Sequence, residues 1–578
     1  MSLRSDPYSI VRRSAPPAAA HGARPDGGRR RAWSAPAQLF LILAASAVVG
    51  LILLVPAYIV VRSAGAGLEA LETLTALRTL ELLGNTLLLA AAVTAGATAL
   101  AIPLAWLTTA TDLPARRLWA LLAALPLVMP SYVAAFVYIS ILSPRGLLQQ
   151  LLAPLGVERL PRIYGFPGAF IVLTLITYPY ILLTVRAAIR RRDPSRVEAA
   201  RSMGLSPWQA FRRVTLPHLR PSVVAGALLV ALYVLRDFGA VTLLQYNSFT
   251  RIIYNRYLSY RLETAATLAA VLVLMTVLIL LLEQRSRGRA RYARLSVGAA
   301  RRQQPVALGR WKLPALAFTA ATVSAALLMP VGGLLYWFVR GWRGQSGVHL
   351  PQALTDGVPA TIGNNVLPLV SLMEPAWHSL SASLLAAALT AVLALPIAIL
   401  VVRRPGRLSR LFEQITYASF ALPGIVVALA FVFFGIHLLP TLYQTLPMLL
   451  AAYVILFIPQ ALGAERASLL QLSPALEEAA RSLGKRPLGV FRRVTLPLVR
   501  PGLLAGAGLV FLTAMKELPA TLILSPLGFN TLAAEIWSNI GEAFFARAAA
   551  PTLLLLLLSS LPLAWMALRE SEPAQRSP

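Results

Sequence analysis

Two pairs of adjacent charges, Arg236-Asp237 and Lys516-Glu517, interrupt runs that are otherwise apolar, and they stand 280 positions apart. A charge inside a bilayer is costly and is retained where it faces a partner or a wet cavity. Neighbouring residues on a helix do not face each other, so neither cation is neutralised by its own neighbour. Counted from Pro221 or Pro501 at 1.5 Å per residue, the pairs lie roughly 22 Å into their spans, past the midplane towards the outside. Two arrangements satisfy them: reciprocal pairing across two halves, Arg236 with Glu517 and Lys516 with Asp237, as part of an outer gate; or snorkelling to the outer surface. Tyr132, Tyr138, Tyr178, Tyr180 and Tyr233 offer oxygen donors for a hard cation, but packing and interfacial anchoring are the commoner work of such residues in spans. Other chemistry is poorly provided for. The absence of cysteine excludes disulfides, thiolate metal sites and cysteine nucleophiles. The five histidines, His21, His218, His349, His378 and His437, have no metal-ligand spacing, and no metal site is expected. No GxxxxGK[ST] phosphate loop occurs, so the chain does not hydrolyse ATP by that route, and no catalytic residue is assigned.

The elements that carry these residues are membrane spans. Of the 578 residues, 57% are hydrophobic and 13% charged, where soluble domains carry about 25% charged residues. Runs of roughly 20 apolar residues predict twelve transmembrane helices, at 36–61, 82–110, 118–142, 165–185, 220–245, 264–283, 313–338, 377–402, 411–436, 442–463, 501–525 and 548–568. The even number puts both termini on one side. Roughly three quarters of the Lys and Arg residues fall on the side of the termini, which the positive-inside rule makes cytoplasmic. The net charge of +30 is therefore read as topology, with the lipid bilayer as partner and no nucleic acid.

The spans form two halves, 36–283 and 313–568. A disordered cytoplasmic tail (1–35) precedes them, a cytoplasmic linker (284–312) joins them and a short cytoplasmic tail (569–578) follows. Pro103 and Pro396 head matching stretches 293 apart, as do Pro130 and Pro423, while the charged pairs are 280 apart. The difference places an insertion in the outer loop 143–164, since loops tolerate insertion and spans do not. Two six-span halves repeated in one orientation imply a pseudo-two-fold axis along the membrane normal. The fold class is all-α and polytopic.

Each half also carries one basic segment on the cytoplasmic side: EAARSMGLSPWQAFRRVTLPHLRP from Glu198 and EAARSLGKRPLGVFRRVTLPLVRP from Glu478. Asp193-Pro194 and Ser473-Pro474 read as helix starts. Gly204 and Gly484 read as stops, because glycine accepts the left-handed conformation that closes a helix. A second short helix starts at Ser206-Pro207, or at Arg486-Pro487 without the capping hydroxyl and so less sharply fixed. Leu216-Pro217 and Leu496-Pro497 end it. The product is a helix–turn–helix knob projecting into the cytoplasm, suited to docking in another protein's groove.

The pattern Glu-Ala-Ala, three residues, Gly, nine residues, an aliphatic residue, one residue, Leu-Pro fits both copies. It resembles the cytoplasmic signature of permease subunits of binding-protein-dependent ABC importers, with Val214 and Val494 where isoleucine is commonest. The resemblance covers about 84–283 and 377–568 and implies a type I importer permease in the cell inner membrane. It implies that Glu198, Ala199, Ala200, Gly204, Leu216 and Pro217, with Glu478, Ala479, Ala480, Gly484, Leu496 and Pro497, form coupling loops. These would seat in two separate ATP-binding subunits, which use the ATP; this chain binds no cofactor. An external or periplasmic binding protein would deliver the substrate. LPLVMPSYVAAFVY, LRDFGAVTLL and MKELPATLILSPLGFNTLAAEIW resemble the fused permeases of ferric iron importers. Permeases for thiamine, polyamines, sulfate or phosphonates share the scaffold. An ion-coupled secondary transporter fits the span count but has no use for two glycine-stopped knobs, and nothing supports a membrane-embedded enzyme.

Overall fold

The computed structural model describes residues 35–191, 195–286, 305–345 and 369–571, and these are built of helices, with one isolated β-bridge between Thr111 and Val306. The tail 1–35 apart from Ala35, most of the linker 284–312 and most of the tail 569–578 lie outside the described residues. The first half runs α1 (Ala35–Gly65), α2 (Leu77–Ala110), α3 (Arg116–Leu122), α4 (Ser131–Leu142), α5 (Phe166–Arg191), α6 (Ser195–Ser202), α7 (Leu216–Arg236), α8 (Gly239–Leu243), α9 (Phe249–Leu258) and α10 (Leu262–Ser286). The second half opens with α11 (Lys312–Val323) and α12 (Met329–Gln345), joined through a π-helical turn. It then repeats the series from α2 as α13 (Leu369–Arg403), α14 (Arg407–Ala418), α15 (Gly424–Leu438), α16 (Leu446–Gln471), α17 (Pro474–Ser482), α18 (Leu496–Ala514), α19 (Pro519–Leu524), α20 (Leu532–Gly541) and α21 (Phe545–Ser571). Among the described residues ten helices are long and apolar enough to cross a membrane, or eleven if the bent pair Arg407–Ala421 and Gly424–Leu438 is one span. The last expected span, 548–568, falls in α21.

Four of the expected spans are broken rather than straight. Spans 118–142 and 411–436 each turn at a proline, the second through 107°. Met129 before Pro130 and Leu422 before Pro423 are extended, with ψ of 125° and 119°, because a proline ring disfavours the helical conformation in the residue before it. Spans 220–245 and 501–525 stop at Arg236 and Ala514 and resume as α8 and α19. Apolar composition runs through the first two breaks and flanks the charged pairs at the other two, so hydropathy averaged over a window draws all four as continuous.

In each half the same three helices form the core: α2, α5 and α7 in the first, α13, α16 and α18 in the second. The helices approach closely at equivalent glycines. A Cβ on Gly226 would lie 2.7 Å from the Ile181 Cα, and one on Gly506 3.1 Å from the Ala461 Cα. Lipid gives helices no hydrophobic reason to associate, so such small-residue contact carries the packing.

The halves are also interlocked. α1 packs on α10 of its own half and on α13 and α15 of the other, with the Tyr58 and Phe433 rings 5.4 Å apart. α12 packs on α21 and reaches across to α4, and the Tyr138 hydroxyl donates to the Ala325 carbonyl. The described end of the linker is tied down as well. The Val306 amide donates to the Ala110 carbonyl at 2.8 Å, and the Asp112 carboxylate accepts from the Leu308 amide at 2.9 Å and from Lys312 at 3.3 Å. The Leu308 hydrogen bond, helped by the Lys312 charge, holds the Asp112 carboxyl below its usual range.

Candidate functional site

Both knobs form, and their stops have the geometry that glycine requires. Gly204 and Gly484 have φ of +88° and +79°. The Leu205 amide reaches back to the Ala200 carbonyl and the Gly204 amide to Arg201; Lys485 to Ala480 and Gly484 to Arg481 repeat both bonds. This is the paired closure that satisfies the last carbonyls of a helix. Ser206 and Gln209 cap the second helical start of the first knob reciprocally, at 3.0 and 3.2 Å, whereas Arg486 gives no side-chain cap. The Ser473 hydroxyl accepts from Ala475 in the second knob. The matching start at Asp193-Pro194 and the Glu198 side chain lie outside the described residues.

One detail differs from the sequence reading. Leu216-Pro217 and Leu496-Pro497 do not end a short helix. The chain passes through a π-helical turn, Phe211–Thr215 or Phe491–Thr495, straight into α7 or α18. Proline lacks an amide donor and its ring crowds the carbonyl four residues back, and widening that turn relieves both problems without stopping the helix. Each knob is thereby rigidly continuous with a core span.

Three features of the knobs and their neighbourhood escaped the sequence reading. Met203 and Leu483, equivalent residues just before the stop glycines, are 77% and 81% exposed. An apolar side chain immediately before the glycine of an otherwise polar segment was the available signal. The second is Glu477, which is buried: Arg403 donates to it through Nε and Nη2 at 3.3 and 3.1 Å, and Thr495 at 3.0 Å. Removing one member of a buried pair leaves the other charge uncompensated, at a cost of roughly 3–5 kcal/mol. Glu477→Ala is therefore expected to release the Pro474–Ser482 helix from α13, read as faster amide exchange in that segment while α16 stays protected. The third is Glu465 on α16, fully buried with neither carboxylate oxygen hydrogen-bonded. Val185 occupies the same place in the other half. Glu465→Val is expected to raise stability by roughly 1–3 kcal/mol, the cost of an unsatisfied buried polar group, measured as thermal unfolding in detergent.

The intramembrane charges sit at the helix breaks and use backbone partners. Arg236, the last residue of α7, donates to the Phe420 carbonyl of the other half at 3.0 Å, with its guanidinium over the Phe420 ring. Lys516 donates to the Leu127 carbonyl of the first half at 2.9 Å. Phe420 and Leu127 are themselves equivalent, 293 apart, so the two bonds are one contact repeated about the pseudo-axis. Among the described residues no ion pair joins Arg236 to Glu517 or Lys516 to Asp237, although Arg236 lies within electrostatic reach of Glu517. The reciprocity expected from the sequence is present, with a carbonyl in place of the carboxylate.

The carboxylates turn back into their own halves. Asp237, 6% exposed, accepts from the Ala240 and Val241 amides at the start of α8, and Glu517 from the Ala520 amide at the start of α19. Each also lies at the start of a second helix: Asp237 against Ser131 of α4, Glu517 so close to Gly424 of α15 that a Cβ there would stand 2.5 Å from its Oε1. Helix N-termini stabilise negative charge and C-terminal carbonyls positive charge, so the broken spans supply the solvation that lipid withholds. The tyrosines do not form one cluster. Tyr138 and Tyr178 neighbour each other, Tyr180 and Tyr233 have ring centres 5.9 Å apart beside Arg236, and Tyr132 lies within electrostatic reach of Tyr233 and of Glu517 in the other half.

The binding-protein-dependent transport system inner membrane component family matches the chain twice, at 97–287 and 390–571, once in each half. The Fe(3+)-transport system permease protein FbpB 2 of Haemophilus influenzae is 33% identical over 519 residues, which cover 89% of this chain and 95% of that protein. The ferric transport system permease protein FbpB of Actinobacillus pleuropneumoniae is 24% identical over 74% of this chain and 62% of its own length. The sulfate transport system permease protein CysT of Escherichia coli is 28% identical over 31% of this chain and 65% of its own. Two matches in tandem, on halves whose helices, stops and charged breaks recur in the same order at fixed offsets, make this chain a multi-pass inner-membrane permease of the binding-protein-dependent transport family.

Proposed function

We propose that the chain forms the whole translocation pathway of an ATP-driven importer and carries ferric iron, delivered by an external binding protein, into the cytoplasm. The observation that carries the coupling role is the pair of knobs, identical in closure, each tipped by an exposed apolar residue and each running without a break into a core span. Two ATP-binding subunits, one per knob, would pull the loops together as they close on ATP, and the halves would rock as rigid bodies. Glu198, Ala199, Ala200 and Gly204, with Glu478, Ala479, Ala480 and Gly484, would form the docked surface. Leu216-Pro217 and Leu496-Pro497 would set the turn that transmits its motion. Both termini and both knobs would face the cytoplasm. The iron assignment draws on the ferric relatives that span most of the chain; the sulfate relatives match a shorter part.

The absence of native cysteine makes the test direct. Met203→Cys and Leu483→Cys should react with a membrane-impermeant maleimide in inside-out vesicles but not in intact cells. Both should become protected when the ATP-hydrolysing subunit co-purifies. Labelling from outside would reverse the topology, and undiminished labelling in the assembled complex would remove the docking role. Uptake of labelled iron against labelled sulfate and thiamine, in cells lacking the chain and complemented with it, decides the cargo.

A further inference from the structure

We propose that an apolar groove on the flank of the first half binds a tail of an anionic phospholipid, with the headgroup phosphate held by Arg220. The groove has a volume of about 1020 Å³. α2 forms its floor from Leu87 to Leu107, α7 contributes Leu216 and Ala231, and α10 contributes Ile279. Phe211 of the first knob closes one end, against Trp106 of the floor, with ring centres 5.5 Å apart. Twenty residues of helix make the floor about 30 Å long, which matches the hydrocarbon depth of a bilayer. Every residue lining the groove belongs to the first half, so it lies apart from the junction between the halves. Thr94 and Thr98 line it too, but both hydroxyls donate to carbonyls of their own helix at 2.6 Å. The surface left for an occupant is apolar, as a lipid tail requires.

The charges at the knob end identify the headgroup. Arg220 is exposed. At about 100° per residue it stands about 40° round α7 from Leu216, and Ala231 about 60° round, so Arg220 falls on the face that lines the groove. Arg212 and Arg213, next to Phe211, are exposed as well. Among the described residues none of the three takes part in an ion pair. Arginines at the mouth of a gap between spans suit an anionic headgroup, and an indole at the same level marks where headgroups begin. The groove is not a by-product of the fold. Leu384, Val392 and Phe511 stand in the second half where Ala91, Ala99 and Ala231 stand in the first. Small residues on a span also suit a second helix, but three arginines at the mouth favour a phosphate.

The test titrates the purified, delipidated full-length chain in detergent with phosphatidylglycerol or phosphatidylcholine carrying the same brominated tails. Bromine quenches nearby indoles, and the difference between each protein and its Trp106→Phe counterpart isolates Trp106, which lines the groove. Quenching of Trp106 in wild type is expected at lower concentrations of phosphatidylglycerol than of phosphatidylcholine. Arg220→Gln should need about fivefold more phosphatidylglycerol, the share of one surface arginine, and no more phosphatidylcholine. Ala91→Leu with Ala99→Val, which installs the residues of the other half, should need about tenfold more of either lipid, as overfilling a fitted apolar space does. Should that double variant fail to fold, wild type and Arg220→Gln still decide. Equal response of wild type to the two lipids overturns the phosphate contact. Quenching in the filled variant that matches wild type overturns the groove. A small membrane polypeptide that co-purifies with wild type and not with the filled variant would make the groove a helix-docking site and overturn the lipid.

Discussion

Replacing Gly204 and Gly484 together with valine is expected to abolish substrate uptake while the chain still inserts at near-normal abundance. Both residues have φ close to +80°, where a side chain costs about 1–2 kcal/mol per residue through its Cβ. Apart from the chain neighbours, no atom of the described residues lies within 4 Å of a Cβ at either position. The substitution therefore creates no internal clash, and the strain must be relieved by opening the turn. The helix would then lose the closing bonds from Leu205 to Ala200 and from Lys485 to Ala480, and Met203 and Leu483 would be re-aimed. Two knobs strained by that amount lose roughly tenfold or more in the population of the docked geometry. Labelled uptake normalised to immunoblotted protein measures the effect, and uptake within twofold of wild type would count against the knobs as couplers. Alanine at both positions, which is less bulky at the same φ, should give an intermediate loss.

Removing both cross-half donors, as Arg236→Met with Lys516→Met, is expected to loosen the junction between the halves. Each substitution orphans a backbone carbonyl, at Phe420 or Leu127, and each such group costs roughly 1–3 kcal/mol when it stays dry. The expected result is a lower unfolding temperature in detergent, together with transport that is lost or no longer tied to ATP hydrolysis. The backbone partners make a sharper claim about the charge swap Arg236→Glu with Glu517→Arg. A carboxylate cannot donate to the Phe420 carbonyl, so the swap should not rescue either single variant. Arg236→Lys keeps a donor and should retain most function. Rescue by the swap would reinstate direct pairing of the side chains.

Much of this was legible because the chain repeats itself. The 280- and 293-residue registers placed Pro130 with Pro423, Arg236 with Lys516 and Gly204 with Gly484, and each pair occupies equivalent positions in the fold. The stop glycines were readable because only one backbone conformation makes glycine worth placing after a polar helix. The breaks in the spans were less so: at two of them apolar composition continues and the cue was a proline whose effect falls on the residue before it, and at the other two the cue was the charged pair itself. The partners of Arg236 and Lys516 were out of reach, since a backbone carbonyl leaves no mark in a sequence. Glu465 lies two residues beyond the expected span 442–463, whereas α16 continues to Gln471 and keeps it inside the packed helix.

The exchange of outrigger helices between the halves also bears on how the molecule is made. α1 precedes α13 and α15, on which it packs, by about 300 and 360 residues, which is roughly 15–70 s of translation. For that interval α1 can rest only against its own half and lipid, and its face towards α13 stays uncovered until the second half inserts. Completion of the second half is thus a checkpoint on the first, and a chain truncated in the linker should present to the membrane's proteases a helix still waiting for its neighbour.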